Sequence, residues 1–290
     1  MNILQILYAG FQIGLVYALI ALGLNLMYGT MRLLNIAHGD LMMIGAYVAY
    51  WCFTFCGMSP LLSLFLVAVI CGALGILFCK YIFVSVMETS ESAAALESNS
   101  LLLFYGVGII IPNIVSLLCT ADIRGYSYMT QTFDLGGMRI MLNRLLVLII
   151  SAVICLLCYV GIQFTTTGKA IRALIQDREA AQYSGIDIRK TYFICFFLGF
   201  AIAGVAGCFI SMFYEINPFM GMEYTITAFI VIVLGGLGNL LGSLLGGVLL
   251  GIIETFIMSF IPGLSPVIRY GIFTFIILYR PQGILGKGIY

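Results

Sequence analysis

The chain has 290 residues, 62% of them hydrophobic and 9% charged, with a formal net charge of +1. A soluble domain carries about a quarter charged residues, so the composition excludes a soluble globular protein, and the near-neutral charge offers no footprint for nucleic acid. At ~20 apolar residues per spanning helix, the sequence predicts an all-α integral membrane protein of about eight to nine transmembrane helices. Residues 1–290 form one transmembrane domain in this reading, with no sizeable soluble domain.

Apolar runs place the spans near 5–28, 38–56, 61–79, 100–118, 145–164, 191–213, 224–236, 240–259 and 267–279. No Lys or Arg precedes the first run, which is too long for a signal-peptide core and reads as a retained helix. It contains a polar Asn25. Between the first and second runs, "LLNIAHGDLMMIGAY" (33–47) interrupts the hydrophobicity with Asn35, His38, Gly39 and Asp40. The stretch "METSESAAALESNS" (87–100) is polar and acidic and suits a surface helix or loop. Pro112 and Asn113 fall inside the fourth run. In 119–144, two strand-like stretches flank Leu135-Gly136-Gly137, the pattern of a β-hairpin.

Residues 165–191, "TTTGKAIRALIQDREAAQYSGIDIRKT", hold eight of the 25 charged residues, five basic and three acidic. A helix over 168–183 places Lys169, Arg172, Gln176 and Glu179 on one face and Ile171, Leu174 and Ile175 on another. That amphipathic helix fits either the lipid headgroup surface or a water-soluble partner; the mixed signs of charge favour the partner. Further on, "LGGLGNLLGSLLGGVLLG" (234–251) repeats glycine every fourth residue at Gly238, Gly242 and Gly246, spacing that permits close helix contact. Gly235-Gly236-Leu237-Gly238 is too glycine-dense for a good helix interior. Two helices meeting at a break, the first only ~13 residues long, explain the pattern; one long kinked helix satisfies it as well.

With 165–190 placed in the cytoplasm, nine of the 13 Lys and Arg residues fall inside: Arg32, Lys80, Lys169, Arg172, Arg178, Arg189, Lys190, Arg280 and Lys287. Arg124, Arg139, Arg144 and Arg269 fall outside. The positive-inside rule then puts the N-terminus outside and the C-terminus in the cytoplasm, unless 38–56 re-enters instead of spanning.

Several chemistries are excluded. Gly168-Lys169 is followed by Ala170, with no glycine five positions before Gly168, so the chain has no phosphate-cradling loop and any ATP it uses is hydrolysed by another polypeptide. His38 is the only histidine, which leaves no basis for a His-built metal site or catalytic triad. The nine cysteines lie mostly in apolar runs and read as small packing residues; Cys155 and Cys158 have redox spacing without its βα setting. No enzyme activity is expected.

Five blocks carry a resemblance: "ALIALGLNLMYGTMRLLNIAHGDLMMIGAY" (18–47), residues 165–191, "GFAIAGVAGCF" (199–209), "PFMGMEYTITAFIVIVLGGLGNLLGSLLGG" (218–247) and "RPQGILGK" (280–287). Together they resemble the permease subunits of bacterial ABC importers for branched-chain amino acids, above all the first permease of the leucine/isoleucine/valine system. Within 165–190, Glu179-Ala180-Ala181 and Gly185 fit the Glu-Ala-Ala-x3-Gly pattern of ABC permeases. The resemblance implies a cytoplasmic coupling segment, with Gly168, Lys169, Arg172, Gln176, Asp177, Glu179, Ala180, Ala181 and Gly185 seated on an ATPase subunit. Gly168 and Gly185 would end or release its helix. It further implies a second homologous permease, two ABC ATPases, an extracytoplasmic amino-acid-binding protein, a place in the bacterial inner membrane among lipid, and ATP and Mg bound by the partner ATPase with no cofactor on this chain. Relatives that move urea, short amides or sugars share the architecture, and the acidic 87–100 and Pro112 depart from the branched-chain pattern. A self-contained channel or secondary transporter is the alternative outside the ABC class.

A zwitterion with an apolar side chain needs an apolar path with a few fixed polar groups. The candidates are Asn25, Asn35, His38, Asp40, Asn239 and Glu254, an intramembrane acid being a functional-site hypothesis by default. Helix–helix hydrogen bonding is the alternative role for Asn25, Asn239 and Glu254. Half-helix ends near 235–240 would offer backbone donors to a carboxylate.

Overall fold

Six helices of this chain begin where a short polar side chain caps them. A computed structural model describes residues 3–135, 138–279 and 283–284. Helix α1 (Ile3–Met31) is followed by α2 (His38–Cys56) and α3 (Pro60–Phe78), which continues through a π turn at Cys79–Phe83 into α4 (Val84–Thr89). Next come α5 (Ala93–Cys119), the strands β1 (Thr132–Leu135) and β2 (Met138–Met141), and α6 (Leu142–Phe164). The remainder is helical: α7 (Thr166–Gln176), α8 (Arg178–Tyr183), α9 (Ile188–Ser211), α10 (Gly221–Gly235), α11 (Leu240–Phe260) and α12 (Ser265–Tyr279).

The caps are Ser59 before Pro60 in α3, Ser92 in α5, Thr165 in α7, Asp177 in α8, Asp187 in α9 and Asn239 in α11, each accepting from a backbone N–H of the first turn. Such caps satisfy donors that a helix cannot satisfy itself. Among the described residues, eight helices are long and apolar enough to cross a membrane, and the apolar Gly221–Gly235 is shorter. The chain therefore has the all-α, multi-span architecture expected of it, with α10 and α11 as two separate helices.

Three expectations change. The predicted helix over 168–183 is two helices, because Asp177 is extended and its Oδ1 accepts from Glu179 N (2.8 Å) and Ala180 N (3.1 Å), starting α8 afresh. Most of 87–100 belongs to α4 and to the first turns of α5, where the Ser92 cap starts the helix well before the apolar run. Arg269, which falls in the predicted run 267–279 and is counted with the cations outside, lies inside α12 and is buried. Pro112 leaves α5 unbroken. The hairpin forms with Leu135 opposite Met138; its turn, Gly136 and Gly137, lies outside the described residues, as do Arg280 and Lys287.

Helices α1 and α9 form the buried centre. Helix α11 packs along α1, while α2 and α3 pack on α9. The outward faces carry Phe65, Leu102, Leu117, Leu157 and Leu278, each exposed, as suits side chains that meet lipid. Arg124 holds the segment between α5 and β1 together: its guanidinium donates to Cys119 O at the end of α5 and lies over the Trp51 ring, and its backbone bridges to Ile216.

The α1–α11 seam is a backbone-to-backbone contact. A Cβ on Gly14 would stand 2.7 Å from Val248 Cα, and one on Gly251 would stand 2.4 Å from Gly14 Cα. In lipid, where apolar side chains gain nothing by leaving the solvent, such close approach supplies dispersion attraction instead. Gly251→Ala is therefore expected to destabilise the folded chain by about 1–3 kcal/mol, the usual cost of overpacking. Gly161→Ala, where a Cβ meets nothing within 4 Å, should not. Thermal unfolding of the two variants in detergent checks this, and equal melting temperatures would refute the seam's role.

Candidate functional site

The polar groups named from sequence fall into four places. At one end of the bundle sit α7 and α8. Gly168 is pressed so closely on the last turn of α6 that a Cβ would stand 2.2 Å from Ile162 O. Arg172 clamps the same turn, donating to Gln163 Oε1 (3.1 Å) and Gln163 O (3.0 Å). Ile171 and Leu174 are buried. Helix α7 is thus fixed to the bundle by its apolar face, Arg172 and Gly168.

Helix α8 is the opposite case. Asp177, Arg178, Glu179, Ala180, Gln182 and Tyr183 are exposed, Tyr183 at 89%, and only Ala181 is buried. The helix ends at Gly185 with φ +81°, where Gly185 N donates to Gln182 O (3.0 Å) and Ile186 N to Ala181 O (3.2 Å). This is a Schellman stop, and a left-handed residue there favours glycine. Gly185 thus ends a helix as expected, whereas Gly168 is an interior packing position. Lys169 and Gln176 are exposed on α7.

The second place is the break between α10 and α11. Gly236 and Gly238 have φ of +104° and +78°, values that an L side chain rarely adopts. Asn25, buried on α1, satisfies the opened backbone: its Nδ2 donates to Asn239 O (2.9 Å) and Ser243 Oγ (2.6 Å), and Gly238 N donates to its Oδ1 (2.8 Å). Asn239 also caps α11 through Gly242 N (3.1 Å). A Cβ on Gly235 would stand 2.1 Å from Gly242 O, and one on Gly246 2.9 Å from Val231 O, so the glycine repeat lets the two helices fold back on each other. Asn25 and Asn239 therefore act in helix–helix bonding, with Ser243, a residue no motif had flagged.

From the break the structure leads back to α7. Ile175 is the side chain between: ideal Cβ positions on Gly29 and Gly238 would lie 3.4 Å and 3.5 Å from it. One isoleucine of α7 is in van der Waals range of both the end of α1 and the α10–α11 break.

The third place is near the middle of α1. His38 Nε2–H donates to Ile20 O (3.0 Å), which leaves Nδ1 buried without a partner; Asn35 is fully buried with both amide atoms unpartnered. Asp40, 4% exposed, makes no side-chain hydrogen bond or ion pair among the described residues. The start of α2 crosses the start of α10 here. A Cβ on Gly39 would overlap Gly221 O, and one on Gly221 would overlap Asp40 Oδ1. Thr225 joins the two helices, accepting from Gly39 N (2.8 Å) and donating to Ile36 O (2.9 Å). Thr225 has no sequence signal beyond being one more threonine in an apolar run.

Glu254 is the fourth. On α11 it pairs with buried Arg269 of α12, which also donates to Thr227 Oγ1 (3.0 Å) and Glu223 Oε1 (3.3 Å) on α10. The cluster ties α10, α11 and α12. Among the described residues no group of three His, Cys, Asp or Glu side chains is placed to hold a metal ion.

Comparison with known proteins places the chain in a family. A profile of the family described as branched-chain amino acid transport system / permease component matches residues 6–279. The chain belongs to that family. Its similar relatives include the high-affinity branched-chain amino acid transport system permease protein BraD of Pseudomonas aeruginosa, 29% identical over 98% of this chain and 96% of BraD. LivH of Salmonella typhimurium is 28% identical over 98% of this chain and 96% of its own length. A probable LivH from Methanocaldococcus jannaschii is 30% identical over 77% of this chain and 70% of its own length. Among solved structures, PsaBC from Streptococcus pneumoniae in complex with Fab shares the fold, with TM-score 0.51, 13% identity, and coverage of 97% of this chain and 93% of that one. The permease is a multi-pass membrane transport subunit, not an enzyme.

Removing one partner of a buried ion pair leaves the other charge uncompensated, at a cost of about 3–5 kcal/mol. Arg269→Gln is accordingly expected to destabilise the permease far more than Arg269→Gln with Glu254→Gln. Comparing unfolding of the two in detergent tests the tie; an unaltered deficit in the double variant would exclude it.

Proposed function

We propose that this permease is the membrane-spanning half of an ATP-driven importer for branched-chain or other hydrophobic amino acids. In this reading α7 and α8 are the coupling segment on the cytoplasmic side, the N-terminus is outside, and a second homologous permease, two ABC ATPases and an extracytoplasmic binding protein complete the assembly. The observation that carries it is α8. It is short, rigidly capped by Asp177, stopped at Gly185, and exposed on every residue but Ala181. A polar helix held at both ends, which meets its own bundle only through Ala181 and Arg178, suits a water-soluble partner.

The mechanism follows from how α7 is held. A displacement of α8 by a closing ATPase pair moves α7 as a unit, because Arg172 and Gly168 fix its start to α6. Ile175 then transmits the shift to Gly29 and Gly238, that is, to α1 and the α10–α11 break. Packed helices have discrete arrangements and move as rigid bodies between them. Further along α1 and α10, the same motion alters the crossing of α2 and α10 at Asn35, His38, Asp40 and Thr225. Asn35 and His38 have unused hydrogen-bonding capacity there, which suits brief contact with a zwitterion. Affinity in such a system resides in the binding protein, and the isolated permease is expected to bind amino acid weakly.

Two experiments test this reading. Glu179→Lys and Gly185→Trp are expected to leave membrane insertion intact while reducing uptake at least tenfold and releasing the ATPase in mild-detergent pull-downs; normal uptake at normal expression would defeat the coupling assignment. Ile175→Ala should keep the ATPase bound but lower the solute moved per ATP hydrolysed, read by paired uptake and phosphate-release assays in proteoliposomes. An unchanged ratio would remove Ile175 from the path.

A further inference from the structure

A cavity of about 720 Å³ opens between the end of α1, the last turn of α6, α7 and the start of α11. Its charged lining residues are Arg32 and Arg172; no Asp or Glu lines it. Arg172 is held in place, whereas Arg32 is an exposed residue just past the end of α1. Arg172 has its Nη atoms on Gln163, while its Nε–H is buried without a partner. Arg32 has φ +55°, a left-handed conformation costly for a side chain of that size, and forms no ion pair among the described residues. Strained non-glycine backbone persists only where the surroundings enforce it, and it concentrates at ligand-holding sites.

The other wall is apolar and includes Leu237, Leu241 and Leu244. Leu241 is 46% exposed and begins a stripe on α11 that continues with exposed Leu245 and Leu249, four residues apart and so on one helix face. A cationic recess thus runs into an outward-facing leucine stripe. An oxyanion on an apolar tail satisfies both parts. An acidic phospholipid has that chemistry, and so, in smaller form, has an amino acid carboxylate. The stripe is about two turns, or ~12 Å, long, which suits part of an acyl chain and exceeds any branched-chain side chain.

We infer that this cavity binds the phosphate headgroup of an acidic membrane lipid between Arg32 and Arg172, with an acyl chain along Leu241 and Leu245. The inference rests on the importer reading only for the side of the membrane; there, anionic lipid and basic pockets between helices meet. The bound lipid stands beside Ile175 and the break, where its presence sets how easily α7 moves.

The test uses the full-length permease in a neutral detergent with a fluorescent phosphatidylglycerol as probe, competed by unlabelled phosphatidylglycerol, phosphatidylcholine of matched chains, inorganic phosphate and leucine. Phosphatidylglycerol is expected to displace the probe at least tenfold more effectively than phosphatidylcholine, and phosphate and leucine not at all. Arg32→Gln should weaken binding about fivefold, the share of one cation near an anionic headgroup. Arg172→Gln should do likewise, and Arg32→Gln carries the test if that variant fails to fold. Equal competition by the two lipids, or no effect of Arg32→Gln, would overturn the site. Displacement by phosphate alone would make it a plain anion site, and displacement by leucine a solute exit; either overturns the lipid assignment. Co-purification of an ATPase is scored separately, so a failed importer reading and a failed lipid site give different results.

Discussion

A helix that breaks inside a membrane exposes backbone groups that lipid cannot hydrogen-bond, and each one left open costs several kcal/mol. The α10–α11 break survives because Asn25 of α1 takes Gly238 N, Asn239 O and Ser243 Oγ together. The rest of the architecture depends on that junction. It fixes the register of α1 against α11, so that Gly14 meets Gly251 and Ala18 meets Gly247. It also fixes where α10 ends and α11 begins.

Two kinds of contact then divide the work. Glycine seams hold α1 against α11 and α2 against α9 with little side-chain freedom to adjust: a Cβ on Gly45 would lie 2.3 Å from Gly204 O. Such interfaces shift as a whole or not at all. Polar contacts between helices are local, and Asn25 and Thr225 use theirs fully. Asn35 and His38, by contrast, are buried with capacity to spare. Fully satisfied groups hold a fold, and unsatisfied buried groups mark where another molecule or another conformation supplies the partner.

Much of this was legible in sequence because membrane helices announce themselves by length and hydrophobicity. The nine apolar runs, the glycine break and the hairpin strands all have local signals. Asn25 and Asn239 were recognisable as polar residues in apolar surroundings, although nothing local said that they would meet. What was hidden depends on three-dimensional pairing. Arg269, near the start of the run 267–279, is counted with the outer cations because nothing local shows its partner Glu254, one helix earlier. The split of α7 from α8 turns on whether Asp177 caps or continues a helix, which periodicity alone does not decide. Thr225 and Ile175 act through what they touch, and a threonine or isoleucine in an apolar run carries no mark of it. Arg32 has a side chain typical of a helix end; only its backbone sets it apart.

The central claim is that α7, α8 and the α10–α11 break move as one body. Pulsed electron paramagnetic resonance on the assembled importer tests it, with spin labels introduced through noncanonical side chains at Gln182 and Leu237 and, in a second sample, at Gln182 and Leu102. The account predicts that the 182–237 distance stays constant between nucleotide-free and ATP-bound states while the 182–102 distance changes. A 182–237 distance that changes as much as the other would mean that α8 moves without the break, and would contradict transmission through Ile175.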